Sequence, residues 1–550
     1  MCGAGPTGDA SGSRALAPAG TTLQQAAAPV TAKTGYTRLR AGPGWPLRVR
    51  EDLAAANSAR DDRRVPCAAF IQLTDLHITD SQSPVRAEYL HPYVGTAHRP
   101  HETLGPVAAD ALVRRVNAVT TAPFTGLPPA FVVVTGDSTN NHEHIELSWY
   151  LAILNGATVR PCSGDPSGYE GVQVSGNARY WNPGSRLRDP YTMRGFPHLP
   201  GLLHAATRPF QSQGLRVPWY CTVGNHDTSP EGTLPAGIPG LAEFYTGSTK
   251  VIDKDEHTIR RLVAALQNPG GGIPLEQLYS GTGTFREITP DPRRRPFTPA
   301  EFVAAHLAND HTGPGPRGHG FDSSHVDGHE LYYTFPVADG VTGISLDTTN
   351  LAGWADGSIG LRQYRWLEQE LRRGSTTYYT ADGSRVRQHT AAELFLVFSH
   401  HSSTTMGNVL ADPRAPDERR VPGSELVALL HRFPNVLAWV NGHTHRNVLR
   451  PHHGPGAAQS FWEINTASHV DYPQLARSIE IVDNRDGTLS LFTTLLETVA
   501  PYTADYDDDS PATLAALYRE LAYNDPHAVR ARLGRKRHRN AELLLCDPRS

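Results

Sequence analysis

Short, almost wholly apolar runs recur at wide intervals along this chain. Six of them lie at 68–74 (AAFIQLT), 130–135 (AFVVVT), 217–223 (VPWYCTV), 343–346 (GISL), 393–399 (ELFLVFS) and 436–441 (VLAWVN). Each has the length of a buried β-strand. Between them lie apolar positions at helical spacing, over 107–120, 144–154, 361–372 and 424–432. Strand alternating with helix predicts an α/β chain with largely buried sheets. After residue 458 the rhythm changes to SFWEINTAS, SIEIVDN and LSLFTTLLE, which read as consecutive antiparallel strands with a turn at 484–487. Two polar, Gly/Pro-rich stretches, near 156–215 and 228–329, fit neither pattern and read as insertions on the core. Residues 1–64 read as a partly disordered N-terminal extension, 65–500 as the catalytic unit, and 501–550 as a helical tail carrying an amphipathic helix at 511–523. No repeat at periods of about 20–50 residues is visible, which sets solenoids and propellers aside.

Composition narrows the class. With 39% hydrophobic and 19% charged residues among 550, the chain is of ordinary globular type, and 50 Gly with 44 Pro predict many turns and long loops. A formal net charge of −4 argues against a dedicated nucleic-acid binder. No run approaches the eighteen or so apolar residues of a membrane helix. The five cysteines are scattered without a CxxC pair, so all read as free thiols in a reducing compartment. Neither a signal peptide nor a membrane span is written, and Arg63-Arg64 sits directly ahead of the first strand. The expected location is therefore cytoplasmic, with export conceivable only from an upstream start. The basic run at 535–539 (RKRHR) reads as a solvated helix end.

The count that changes the picture is 26 His. Metal-ligand residue types follow nearly every predicted strand. The first is followed by Asp75 and His77, the second by Asp137 with Asn140 and Asn141 beyond it. The third runs into Gly224-Asn225-His226-Asp227, the fifth into His400-His401, and the sixth into Gly442-His443-Thr444-His445. Side chains at the carboxyl ends of strands converge on one sheet edge. Carboxylate, imidazole and amide ligands without thiolate suit Mn, Fe or Zn rather than a structural zinc. They outnumber what one ion can use, whereas two ions about 3.5–4 Å apart and sharing a carboxylate would use them all. Singly, an Asp-x-His or a Gly-Asp after a strand is also ordinary surface or turn chemistry. GNHD and GHTH are more specific, because a turn has no use for their histidines.

This ordered set resembles the calcineurin-like metallophosphoesterase superfamily, in the subfamily with long inserts between D-x-H, G-D-x-x-[DN], G-N-H-[DE], H and G-H-x-H. The resemblance covers about residues 65–500. It implies a four-layer αββα sandwich of two mixed sheets with long loop insertions. It also implies one ion on Asp75, His77, Asp137 and His445, and a second on Asp137, Asn225, His400 and His443. His226 would assist the leaving group, oriented by Asp227, with Asn140 and Asn141 as outer supports.

Other candidates are looser. His400 is preferred to His401 as the ligand, with His401 facing substrate. His142 and His144 read as exposed helix-start residues. Arg317 and His319, in 311–321 (HTGPGPRGHGF), are candidate substrate contacts, with a plain Gly/Pro loop as the alternative. Asp471-Tyr472-Pro473 reads either as a site lip or as a structural turn. The expected function is a dinuclear-metal phosphoesterase that hydrolyses phosphate mono- or diesters through a metal-bridging hydroxide. The expected partner is a small phosphate-ester substrate, with no nucleic acid or membrane. The alternatives are a nucleotide pyrophosphatase or nucleotidase of the same superfamily, and a metal-binding scaffold without turnover. The sequence leaves the oligomeric state open.

Overall fold

The apolar runs become the parallel centres of two sheets. In the computed structural model, which describes residues 20–30, 35–235, 238, 240–268 and 275–549, strand Val65–Leu73 lies parallel to Val132–Thr135, and that strand parallel to Trp219–Thr222. These three form one side of a seven-stranded sheet, in the order Arg48–Arg50, Ala541–Cys546, Thr488–Glu497, Leu475–Asp483, Val65–Leu73, Val132–Thr135, Trp219–Thr222. A six-stranded sheet runs Tyr333–Ala338, Val341–Ser345, Leu394–Phe398, Val436–Asn441, Phe461–Asn465, Val448–His452. Its four middle strands are parallel.

One apolar core contains residues of both sheets, including Phe70, Val133, Leu396, Val440, Ile479 and Leu543. Phe70 meets Phe398 edge to face across it, with ring centroids 5.8 Å apart. A second apolar cluster joins Phe395, Val397 and Trp439 of the six-stranded sheet to Leu367 and Leu371 of helix Leu361–Arg373 and Leu426 and Leu429 of helix Gly423–Leu430. The helix Leu361–Arg373 buries one stripe and leaves its Arg residues toward water. Among the described residues, no helix is long and apolar enough to cross a membrane.

Several expectations need correction. Strand Phe461–Asn465 does not open an antiparallel series: it continues the parallel centre of the six-stranded sheet beside Val436–Asn441. The end of the chain is not only helical. Beyond helix Pro511–Asn524, Ala541–Cys546 enters the seven-stranded sheet between Thr488–Glu497 and Arg48–Arg50. Of the N-terminal extension, Gln25–Pro29 pairs with Leu39–Pro43. Residues 1–19 and 31–34, where disorder was expected, lie outside the described residues. The insert at 228–329 has its own small core, in which Tyr245, Ile259, Leu262 and Leu278 pack with Tyr89 and Leu90. The four described cysteines Cys67, Cys162, Cys221 and Cys546 are unpaired, and Cys2 lies outside the described residues.

Candidate metal centre

Because the strands that lead into the candidate donors are parallel, their carboxyl ends share one edge, and the loops leaving them are bonded together there. His77 N donates to Asp137 O (2.9 Å), and Gly442 N donates to His400 O (3.0 Å). His443 N donates to the Asp75 carboxylate (3.1 Å), which ties the two sheets to each other. Two motif glycines are required by this crowding. A Cβ on Gly224 would sit 2.2 Å from Asp137 N, and one on Gly442 1.9 Å from Thr74 Oγ1.

Asp75, His77, Asp137 and His445 offer donor atoms within 4.8 Å of one another, and all four are buried. His445 Nε2 lies 3.3 Å from Asp75 Oδ1, and His77 Nε2 lies 3.5 Å from Asp137 Oδ2. Beside them, Asp137 Oδ2 lies 3.1 Å from His400 Nε2, which is 3.1 Å from His443 Nδ1, itself 3.1 Å from Asn225 Oδ1. Adjacent donors at right angles on bonds of about 2.1 Å would stand roughly 3 Å apart, so this spacing is compatible with a coordination shell. His77 Nε2 is buried with no hydrogen-bond partner, a cost that a coordinated ion would remove. The donor set therefore fits a metal ion, with Asp137 in reach of both groups.

The imidazoles are oriented from behind, as metal-ligating histidines commonly are. His400 Nδ1 donates to Thr135 O (2.8 Å), and His445 Nδ1 donates to Asp471 Oδ2 (2.6 Å). His77 Nδ1 meets Asn140 Oδ1 (3.0 Å). Asn140 Nδ2 donates to Asn141 Oδ1 (2.9 Å), and Asn141 Nδ2 donates to Glu146 (2.7 Å). In each of these three histidines the outward bond turns Nε2 inward. Burial raises the Asp137 carboxyl, but His400 and His226 beside it hold it well below the usual carboxylate range. Burial opposes the charge on His400, yet Asp137 carries it up to about 9.

Five of the seven donor residues, Asp75, His77, Asp137, His443 and His445, have φ between 44° and 64°. This left-handed region is sparsely populated by residues other than glycine, and such strain clusters at functional sites.

The neighbouring candidates fall into place differently. His226 rests its ring edgewise on His77 (4.5 Å between centroids), and its Nδ1 donates to Asn140 O (2.6 Å). Asp227 does not orient it. That carboxylate accepts from the backbone N–H groups of Gly224, Ser138 and Thr139, at about 3.0 Å, and so laces two ligand loops together. Burial and Asp137 push Asp227 up to about 7. His401 does not face a substrate space. It is fully buried, Nδ1 paired with Thr348 Oγ1 (2.8 Å) and Nε2 with Ala355 O (2.9 Å). Arg317 is exposed, and its Nε donates to the Leu307 carbonyl (2.9 Å). His319 is fully buried, stacked on Trp219 (3.6 Å). Neither Arg317 nor His319 lines the cavity at the centre. His142 is buried against Phe297 and His144 is half-buried near Glu301, so neither is an exposed helix start.

Sequence reading left Asp471 undecided and missed its partners. Arg99 Nε donates to it (2.7 Å) and Arg532 Nη1 lies 2.5 Å from it, so two guanidiniums meet at the carboxylate behind His445. Burial opposes ionisation, but Arg99 and Arg532 hold Asp471 well below the usual range. The available signal was position: Asp471 follows Phe461–Asn465, another parallel strand ending at the same edge.

No family model matches the sequence, and no curated protein matches it. Among solved structures the chain is similar to a dimetal phosphatase from Danio rerio, at 12% identity and a TM-score of 0.30, over 79% of this chain and 99% of that one. It is similar to a protein from Staphylococcus aureus described as a 5′-nucleotidase, at 13% identity and 0.28, over 82% and 58%. It is also similar to the sulfate thiohydrolase SoxB of Thermus thermophilus, at 13% and 0.28, over 84% and 62%. The chain thus spans less than two thirds of the last two. In their order along the chain and their convergence at one sheet edge, the donor blocks here are those by which the sequence resembles the calcineurin-like metallophosphoesterases.

Proposed function

We propose that this chain is a metal-dependent phosphoric ester hydrolase with a dinuclear centre, built on an αββα arrangement of its two sheets. The observation that carries this reading is the shared carboxylate: Asp137 Oδ2 reaches both donor groups, one through His77 and one through His400. Asp75, His77, Asp137 and His445 would hold one ion, and Asp137, Asn225, His400 and His443 the other. Two Mn, Fe or Zn ions would supply Lewis acidity and neutralise the charge that builds on a phosphoryl group.

The chain's own residues do the rest. Asn140 O fixes His226 Nδ1 as the protonated nitrogen, so Nε2 is the atom left to hydrogen-bond an ester oxygen. Asp227 holds the Asp137 and Asn225 loops at one spacing and is a positioning residue. Arg99 and Arg532 line the cavity at the centre and share the one carboxylate of Asp471, so the trio leaves a net positive charge beside the space that an anionic phosphate would take.

The test joins metal analysis to hydrolysis of p-nitrophenyl phosphate and bis-p-nitrophenyl phosphate. Two ions per chain and turnover of either ester are expected. Asp137→Asn should lower kcat at least a hundredfold and weaken both ions. His226→Ala should lower kcat at least tenfold while metal content holds. Near-normal turnover in Asp137→Asn, or loss of metal in His226→Ala, would contradict these assignments. The nucleotidase reading draws on Tyr279 and Trp354 in the same cavity, and AMP in the panel addresses it.

A further inference from the structure

The donor cluster does not open directly onto flat surface. It forms one end of a cavity of about 740 Å³, in which His77, Asp137, Asn225, His226, His443 and His445 face the space. Such a volume is typical of a small-molecule site. Away from the donors the lining turns aliphatic. Leu90, Val94, Leu234, Val263, Leu266 and Leu278 form one wall, and Val409 and Leu410 contribute from the loop after strand Leu394–Phe398. Most of that wall comes from the insert at 228–329, whose core holds Leu90, Leu234, Val263 and Leu278 in place from behind.

The chemistry is therefore split along the cavity. At one end are the donors with Arg99 and Arg532, and beyond them the aliphatic wall faces the space, with Glu231, Gln267, Asp356 and Asn408 elsewhere on the lining. A nucleoside would need partners for its base edge and free aromatic faces to stack on. Of the two aromatic residues here, Tyr279 is 5% exposed and its ring packs on Phe244 (5.2 Å), which leaves Trp354 to offer a stacking face. An extended hydrocarbon asks only for burial against apolar walls, which is favourable for every methylene removed from water.

We infer that the substrate is an amphiphilic phosphate ester whose aliphatic chain lies in this cavity while its phosphoryl group sits at the donor cluster. The inference rests on the phosphoesterase reading for its head group, but the chain-binding half stands on the cavity alone.

The experiment has two arms, both with the Mn²⁺-loaded full chain and ligands kept below their micelle concentrations. Calorimetry measures the binding of methyl-, butyl-, octyl- and dodecylphosphonate. Kinetics follows hydrolysis of the matching alkyl phosphates and of AMP. Affinity and kcat/KM should rise roughly two- to fourfold per methylene until the cavity is filled. Leu266→Asp and Val409→Asp, at a half-buried and an exposed position of the lining, should flatten that slope in both arms. Phosphonate affinities within twofold of one another, or AMP exceeding octyl phosphate in kcat/KM, would overturn the inference even if p-nitrophenyl phosphate is hydrolysed. Affinity that climbs with chain length in a protein that hydrolyses no ester would instead uphold the cavity and sink the proposed activity.

Discussion

At the scale of single residues, Asp471 carries more of the centre than its position outside the motifs suggests. It accepts from His445 and faces both Arg99 and Arg532. Asp471→Asn preserves the shape but removes the charge. It leaves two largely buried guanidiniums, 3% and 15% exposed, without their counter-ion, and His445 Nδ1 without an ionised acceptor. Loss of such an outer partner commonly costs 10- to 100-fold in metal affinity. Equilibrium dialysis with Mn²⁺ should show a drop of that size for Asp471→Asn, together with a lower unfolding midpoint. Wild-type affinity would remove Asp471 from the role. The seven donors were legible in the sequence because each sits within a few positions of a strand end, in a block with its own spacing. Asp471 was not, because Arg99 and Arg532 stand some 370 and 60 positions away and no local pattern links them. His401 misled for the opposite reason. A histidine beside a motif looks functional, whereas both nitrogens of His401 are satisfied by Thr348 and Ala355.

At the scale of elements, the parallel strands were legible as unbroken apolar runs, and their boundaries differ from the observed ones by only a few residues. What could not be read was pairing. Phe461–Asn465 looks like the strands after it, and only its bonding to Val436–Asn441 assigns it to the other sheet. Ala541–Cys546 is a six-residue run behind a basic stretch, easily read as part of a tail. In the fold it has neighbours on both sides, Leu543 is fully buried, and Glu542 answers Arg60 and Arg64. The Arg63-Arg64 pair is thus partly engaged in holding the sheet together. If the strand is integral, Leu543→Ala should cost about 2–5 kcal/mol, as truncation of a core leucine does. Val49→Ala, on the neighbouring strand at 45% exposure, should cost well under about 1 kcal/mol. Urea unfolding followed by tryptophan fluorescence compares the two. Equal midpoints would mean that the last strand is dispensable.

At the scale of the whole molecule, five residues with left-handed backbone meet at a single edge. Left-handed backbone at Asp75, His77, Asp137, His443 and His445 costs on the order of 1–3 kcal/mol per residue. The orphaned His77 Nε2 adds to this. Both sheets and every ligand loop meet there, so these costs are borne by the packing of the entire core rather than by one element. The insert wall of the cavity closes over the same edge, and it was illegible in the sequence because its leucines and valines are spread over 90–410 with no common motif. Ions that bind only the folded chain stabilise it by mass action, by about 2.7 kcal/mol at a hundred times their dissociation constant. Mn²⁺ or Zn²⁺ should therefore raise the thermal unfolding midpoint by several degrees, and EDTA should reverse the rise. A His443→Ala/His445→Ala double variant removes one donor from each proposed ion, so it should lose most of the response while keeping a cooperative transition. An unchanged midpoint in the parent chain at saturating metal would mean that the edge is strained for some reason other than holding ions. The same shift in the double variant would mean that the ions bind elsewhere.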